Sequence, residues 1–232
     1  MKDLKTYINE SFRLGKNKID REDDDFVDLG LPSDTLWCKY NIGATCESDS
    51  KSWYGDYFMW GDIEPIKNKV CDWYSYKYSN GTKYKITKYC QSDSKFWAGN
   101  GKPDNKLTLD MEDDAAYNID KDWCTPTKEQ YEELFNNSDA EFVNDYKGIS
   151  KLNGMLFTSK INDNELFFPA AGVHVRTTAF NKTTLCQYWS STLDKTPTWA
   201  VCFKVWNTKN ISDSFFDTDF RPVACSVRAV KR

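Results

Sequence analysis

From Phe26 onward the chain never sustains a helical period for long, because short apolar or alternating runs are repeatedly interrupted by turn residues. A period of two broken in this way specifies strands joined by loops. No repeat of solenoid length is found. Strands are expected at Glu165 to Phe168, Trp199 to Trp206 and Val223 to Val230. In the second, Val201, Phe203 and Val205 alternate with Ala200, Cys202 and Lys204, which reads as a half-buried strand. Two short helices are expected among the strands. Thr127 followed by Gln130 has the form of a capping box, after which Tyr131, Leu134 and Phe135 make one apolar stripe ended by Asn136 and Asn137. Glu112 to Tyr117 opens on acids, which favour a helix N-terminus, and turns Ala115 and Ala116 inward. Strands, long loops and two short helices together make an α+β domain.

Residues 1–25 follow a different pattern. Leu4, Tyr7, Ile8 and Phe12 recur at helical spacing, Gly15 supplies a stop, and the charged run Lys16 to Asp25 reads as a tether. So short a helix is marginal alone, and the acidic tether favours docking on a partner. The chain is therefore divided into an anchoring helix with tether, 1–25, and a folded domain, 26–232.

Charge and composition narrow the function. Lys and Arg number 31 against 35 Asp and Glu, a net charge of -4, so no basic excess is present to neutralise phosphates and nucleic-acid binding is not expected. No run of about 18 apolar residues occurs, and the N-terminal segment lacks the apolar core of a signal peptide. Neither membrane insertion nor export is expected.

The eight cysteines include no C-x-x-C pair, and His174 is the only histidine. A zinc site has no support from that set, and buried thiols are expected in preference to disulfides. His174 would be the only base for a Cys or Ser nucleophile, but its neighbours alternate like a strand, and an ordinary edge or surface histidine is expected. Asp110, Glu112, Asp113 and Asp114 lack the spacing of an EF-hand loop and read as a solvated helix N-terminus. No metal, no cofactor and no enzymatic activity are expected.

Aromatic residues make up 16% of the chain, an excess that a polar, loop-rich domain must either bury or display. Most of the tryptophans and tyrosines are expected to fill the core or plug loops, and the loops from Trp73 to Trp97 are conspicuously aromatic. Near the C-terminal end, Trp199, Trp206, Phe215 and Phe216 sit among Asn207, Lys209, Asn210, Asp217 and Asp219. Rings of this kind give large contact area at small entropic cost, so these nine residues are the candidate ligand-binding set.

Several segments carry a resemblance in order. They are Phe26 to Ser33 with Thr35-Leu36-Trp37, Tyr54 to Phe58 with Trp60-Gly61, Leu109 to Ala116, and Trp123 with Pro126 to Glu129. Phe168 to Gly172, Tyr188 to Ser191 and Ser226-Val227-Arg228 complete the series. Residues 26–232 thus resemble the Fibrobacter succinogenes major paralogous domain family, which is similar to the C-type-lectin-like fold of formylglycine-generating enzymes and of the variable receptor-binding proteins of diversity-generating retroelements. The resemblance implies two helices flanking a twisted antiparallel sheet, with ligand contacts made from C-terminal strands and loops. Asp34 stands where relatives often have Gly, and Arg228-Ala229-Val230 replaces Arg-Pro-Val. Glu64-Pro65 is followed by Ile66 and Trp206-Asn207 by Thr208, so the calcium-dependent sugar motifs of true C-type lectins are missing.

Met1 to Arg13 separately resemble the opening shared by proteins of crAss-like and other tailed bacteriophages. The two resemblances together imply a non-enzymatic virion protein, a head fibre or decoration protein made in the host cytoplasm. Leu4, Tyr7, Ile8 and Phe12 would anchor it to other capsid proteins, and the lectin-like domain would meet a host-surface glycan or protein. A dimer or trimer would add avidity. The alternative is a bacterial adhesin or carbohydrate-binding surface protein.

Overall fold

The computed structural model describes residues 25–91, 94–207 and 215–231. The expected anchoring helix with Leu4, Tyr7, Ile8 and Phe12 lies outside the described residues, as do Lys209 and Asn210. What is described is mostly sheet with two α-helices, an α+β architecture.

The largest sheet has β9 (Leu185–Leu193) and β10 (Trp199–Trp206) near its centre, with β11 (Phe216–Phe220) antiparallel on the outer side of β10. On the other side of β9 comes β12 (Ala224–Ser226), which runs parallel to β9 and antiparallel to both β3 (Tyr57–Met59) and β7 (Val173–Val175). A hairpin to β8 (Thr178–Phe180) closes that edge. It requires Gly172, at φ +68, because a Cβ there would run into the Phe180 carbonyl oxygen.

Two three-stranded sheets complete the β structure. β1 (Phe26–Asp28) and β13 (Arg228–Lys231) flank β2 (Leu36–Asn41), and β4 (Ser138–Val143), β5 (Gly154–Ser159) and β6 (Glu165–Pro169) form a meander. The expected strand Val223 to Val230 is therefore two strands, since the chain passes from one sheet to another at Val227, whose carbonyl accepts from Ile42 N–H at 3.0 Å.

β10 is not half-buried as its alternation suggests. Phe203 and Val205 join one core cluster with Tyr131, Leu134, Phe157 and Phe168, while Ala200 and Cys202 join another with Trp60, Tyr89 and Ala116. Both faces are covered, and only Lys204 and Trp206 escape full burial among residues 200–206. Small apolar Ala and Cys on the second face explain why a simple polar-apolar alternation misses this.

The helices pack against these two different clusters. α1 (Ala115–Ile119) starts later than expected: Met111–Asp113 is a 3-10 turn, and Asp114 caps the helix by accepting from Ala116 N–H at 2.8 Å. α2 (Lys128–Asn136) has the expected capping box, with Thr127 accepting from Gln130 N–H at 3.3 Å and Gln130 Oε1 accepting from Thr127 N–H at 2.9 Å.

Tryptophan and arginine tie the sheets together. Trp60 Nε1 donates to Ser190 O at 2.8 Å and Trp189 Nε1 donates to Phe58 O at 2.9 Å, so each indole holds the other's strand region. Trp37, Trp60 and Trp189 are buried as expected, while Trp123 is half-buried against Phe26. Arg228, wholly buried, donates to the Cys38 and Lys39 carbonyls, to Asn41 Oδ1 and to Phe167 O, joining β2 to β6. Asp34 takes φ 57, the left-handed conformation that glycine adopts most readily.

Candidate ligand-binding surface

The segment between β3 and α1 has almost no regular structure, yet it is firmly held. Ile86 is buried at its centre, donating to Phe96 O and accepting from Ala98 N–H at 2.7 Å each. Arg221, just after β11, fastens the segment to the sheet. Its guanidinium is wholly buried and donates to Tyr76 Oη at 2.8 Å, Pro197 O at 2.8 Å, Lys88 O at 3.1 Å and Tyr89 O at 3.4 Å. The rings of Trp60, Tyr76, Tyr78 and Tyr89 surround the same cation. A planar five-donor group is suited to this, because it satisfies several loop carbonyls that no strand partner reaches.

Anchored in this way, the loop brings rings to the base of the β10–β11 hairpin. Trp199 and Phe220 face each other across the register, with ring centroids 4.0 Å apart, and Trp73 meets Phe220 edge-on at 6.0 Å. The Lys83 ammonium lies 5.5 Å from the Phe220 ring and 5.2 Å from the Tyr84 ring. Tyr84, 60% exposed, stacks on Phe96 at 5.9 Å. Five partly or largely exposed rings bridged by one lysine form a surface with both apolar faces and polar handles, which can stack against a sugar ring or an apolar side chain.

The seven candidate residues that are described do not form one site. Trp199 belongs to the ring surface at the base of the hairpin, whereas Trp206 and Asn207 are exposed at its other end. The eight residues of β10 separate Trp199 from Trp206 by about 23 Å, which is too far for one small ligand. Asp217 is ion-paired with Lys204 at 2.7 Å, and Asp219 accepts from Gln187 at 2.9 Å, so both carboxylates serve the sheet. Phe216 is half-buried. Phe215 is not displayed: it is buried against Phe135, 3.6 Å between centroids, and belongs to the same core cluster as Phe203. Sequence reasoning missed Lys83, Tyr84 and Phe96 as partners of Trp199. The aromatic run Trp73 to Trp97 was their signal, but nothing local to it indicates that it folds back onto a strand more than a hundred residues away.

The acidic cluster is also placed differently. Asp113 and Asp114 are buried, not solvated. Asp114 accepts from Thr125 N–H at 2.8 Å and Thr125 Oγ1 at 2.6 Å. Carboxylate oxygens of Asp110, Glu112 and Asp113 come within 4.8 Å of one another, but the Lys88 ammonium lies among them at 2.8, 3.0 and 2.6 Å. Lys77 and Tyr89 Oη complete the shell of Asp113. The cluster carries its own cation.

Six of the eight cysteines are buried, while Cys46 is half-buried and Cys124 exposed. Burial pushes Cys186 up to about 12 and raises Cys202 and Cys225 too, which disfavours the nucleophilic thiolate. Cys202 and Cys225 are ordinary strand residues, in β10 and β12. His174 lies on β7 with its ring 4.4 Å from that of Tyr57. Comparison with protein-family models, with curated proteins and with solved structures finds no match to this chain.

Proposed function

We propose that the protein is a non-enzymatic attachment component of a bacteriophage virion, in which residues 1–25 anchor a C-type-lectin-like domain that meets a host-surface glycan or protein. The lectin-like assignment is supported by two helices packed on different cores of a twisted sheet, by N- and C-terminal strands sharing one small sheet, and by a long irregular segment folded over the last strands. The observation that carries the binding role is the ring surface formed by Trp73, Tyr84, Phe96, Trp199 and Phe220. It is built on a rigid base at Arg221, so little ordering entropy is lost on contact.

The test is binding of the full chain to intact cells of the bacterial host and to their purified surface polysaccharide. Tyr84→Ala combined with Trp199→Ala is expected to weaken binding about tenfold or more, with Trp206→Ala unchanged. Equal binding by the double variant overturns the assignment. Deletion of residues 1–20 is expected to abolish incorporation into particles, and retained incorporation overturns the anchoring role.

A further inference from the structure

A cleft of about 520 Å3 opens between the Pro65–Lys69 loop and the turn joining β7 to β8, a size typical of small-molecule sites. Its walls are fixed by backbone. Cys71 N–H donates to Arg176 O at 2.9 Å, Arg176 N–H returns to Cys71 O at 3.1 Å, and Ile66 N–H donates to Tyr57 O at 3.0 Å. Each wall holds a non-glycine residue in the left-handed region, Asn68 at φ 61 and Arg176 at φ 54. Such conformations persist where the surroundings enforce them, and they concentrate at binding sites.

The lining has unmatched groups of both signs. Lys69 is paired with Asp62 at 2.7 Å, but Arg176 reaches Asp72 only at 3.9 Å and stays 72% exposed. Lys67 has no ion pair among the described residues. Lys182 stands beside the cleft with its ammonium 5.6 Å from the Tyr57 ring. Burial, and then the nearby Lys182, hold His174 below its usual value, so the imidazole adds no fixed charge to the cleft. Asp56 also lines the cleft and accepts no hydrogen bond among the described residues. Burial pushes its carboxyl up against the opposing pull of Lys67. A simple anion would be repelled by Asp56, and a neutral sugar would leave Lys67 and Arg176 unused. A ligand carrying both a carboxylate and hydroxyl donors satisfies all three.

We propose that this cleft binds an acidic sugar residue, with its carboxylate between Lys67 and Arg176 and its hydroxyls donating to Asp56. The proposal deepens the attachment reading and rests on it for the source of the sugar, a host glycan. The cleft is formed by residues separate from the ring surface, so the two sites fail independently.

His174 is the only histidine, so its imidazole C–H resonances give an unambiguous probe. Titration of the full chain with sodium glucuronate is expected to shift them saturably, with glucose and inorganic phosphate giving much smaller shifts at equal concentration. Lys67→Ala, a change at an exposed side chain, should weaken glucuronate about tenfold, and adding Arg176→Ala should weaken it further. Tyr84→Ala with Trp199→Ala should leave this titration unchanged while reducing cell binding. No saturable shift with glucuronate, an equal response to glucose or phosphate, or no effect of Lys67→Ala overturns the proposal.

Discussion

The Lys88 ammonium lies 2.6 Å from Asp113 Oδ2, inside a group of carboxylates close enough together to hold a metal ion. Among the described residues Lys88 alone touches all three carboxylates, with Lys77 also on Asp113 and Lys106 also on Asp110, and so joins the long loop to the turn before α1. Removing it leaves Lys77 and Lys106 as the only cations against Asp110, Glu112 and the buried Asp113 among the described residues, so the carboxylates repel one another more strongly. Lys88→Ala is expected to cost about 1–3 kcal/mol, read as a lower midpoint in urea. Calcium should restore part of the loss in the variant and do nothing for the parent protein.

Arg221 should tolerate no replacement by lysine. An ammonium cannot reach Tyr76, Pro197 and Lys88 together, so loop carbonyls would be left unpaired in the interior. Arg221→Lys is expected to cost ~3 kcal/mol or more. Limited proteolysis should then cut first between residues 60 and 110.

Acid sensitivity follows from Asp113. Burial alone would push its carboxyl up, but hydrogen bonds from Lys88, Tyr78, Tyr89 and Lys77 outweigh that and hold it at about 2. Since this lies below the unfolded value of about 3.9, its contribution is complete above that value and is lost as pH falls toward 2. Stability measured across this window should fall less steeply in Asp113→Asn than in the parent protein.

The sequence revealed those parts of the fold that rest on local chemistry. The capping box at Thr127 and Gln130, the ends of β10 and the buried tryptophans Trp37, Trp60 and Trp189 were all legible, because each depends on neighbours in sequence or on plain hydrophobicity. The proposed ring surface was legible only in fragments. Trp199 was singled out, but its link to Tyr84 through Phe220 and Lys83 depends on a distant loop held by Arg221, and no periodicity encodes that. Phe215 was misread because an aromatic in a polar run looks displayed until Phe135 of α2 is known to lie beside it. The acids before α1 looked solvated because their counterion, Lys88, comes from another segment.

Phe215 and Trp206 should separate packing from display. Phe215→Ala removes a buried ring and is expected to cost about 3 kcal/mol, whereas Trp206→Ala, at a side chain 43% exposed, should stay within about 0.5 kcal/mol. Urea denaturation of the two variants measures both.

Thiol labelling should follow burial. With maleimide under native conditions, Cys124 is expected to react first, while Cys186, Cys202 and Cys225 react only once the domain opens. Mass spectrometry of timed samples reads the order directly.

Among the described strands β12 has the most strand partners. β12 pairs with β3, β7 and β9, and β13 closes the sheet that begins at Phe26. A chain lacking residues 224–231 would leave the edges of β2, β3, β7 and β9 unpaired and lose the Arg228 hydrogen bonds that join β2 to β6. These two sheets can therefore close only once residues 224–231 have left the ribosome, and until then their unpaired edges are open to non-native pairing.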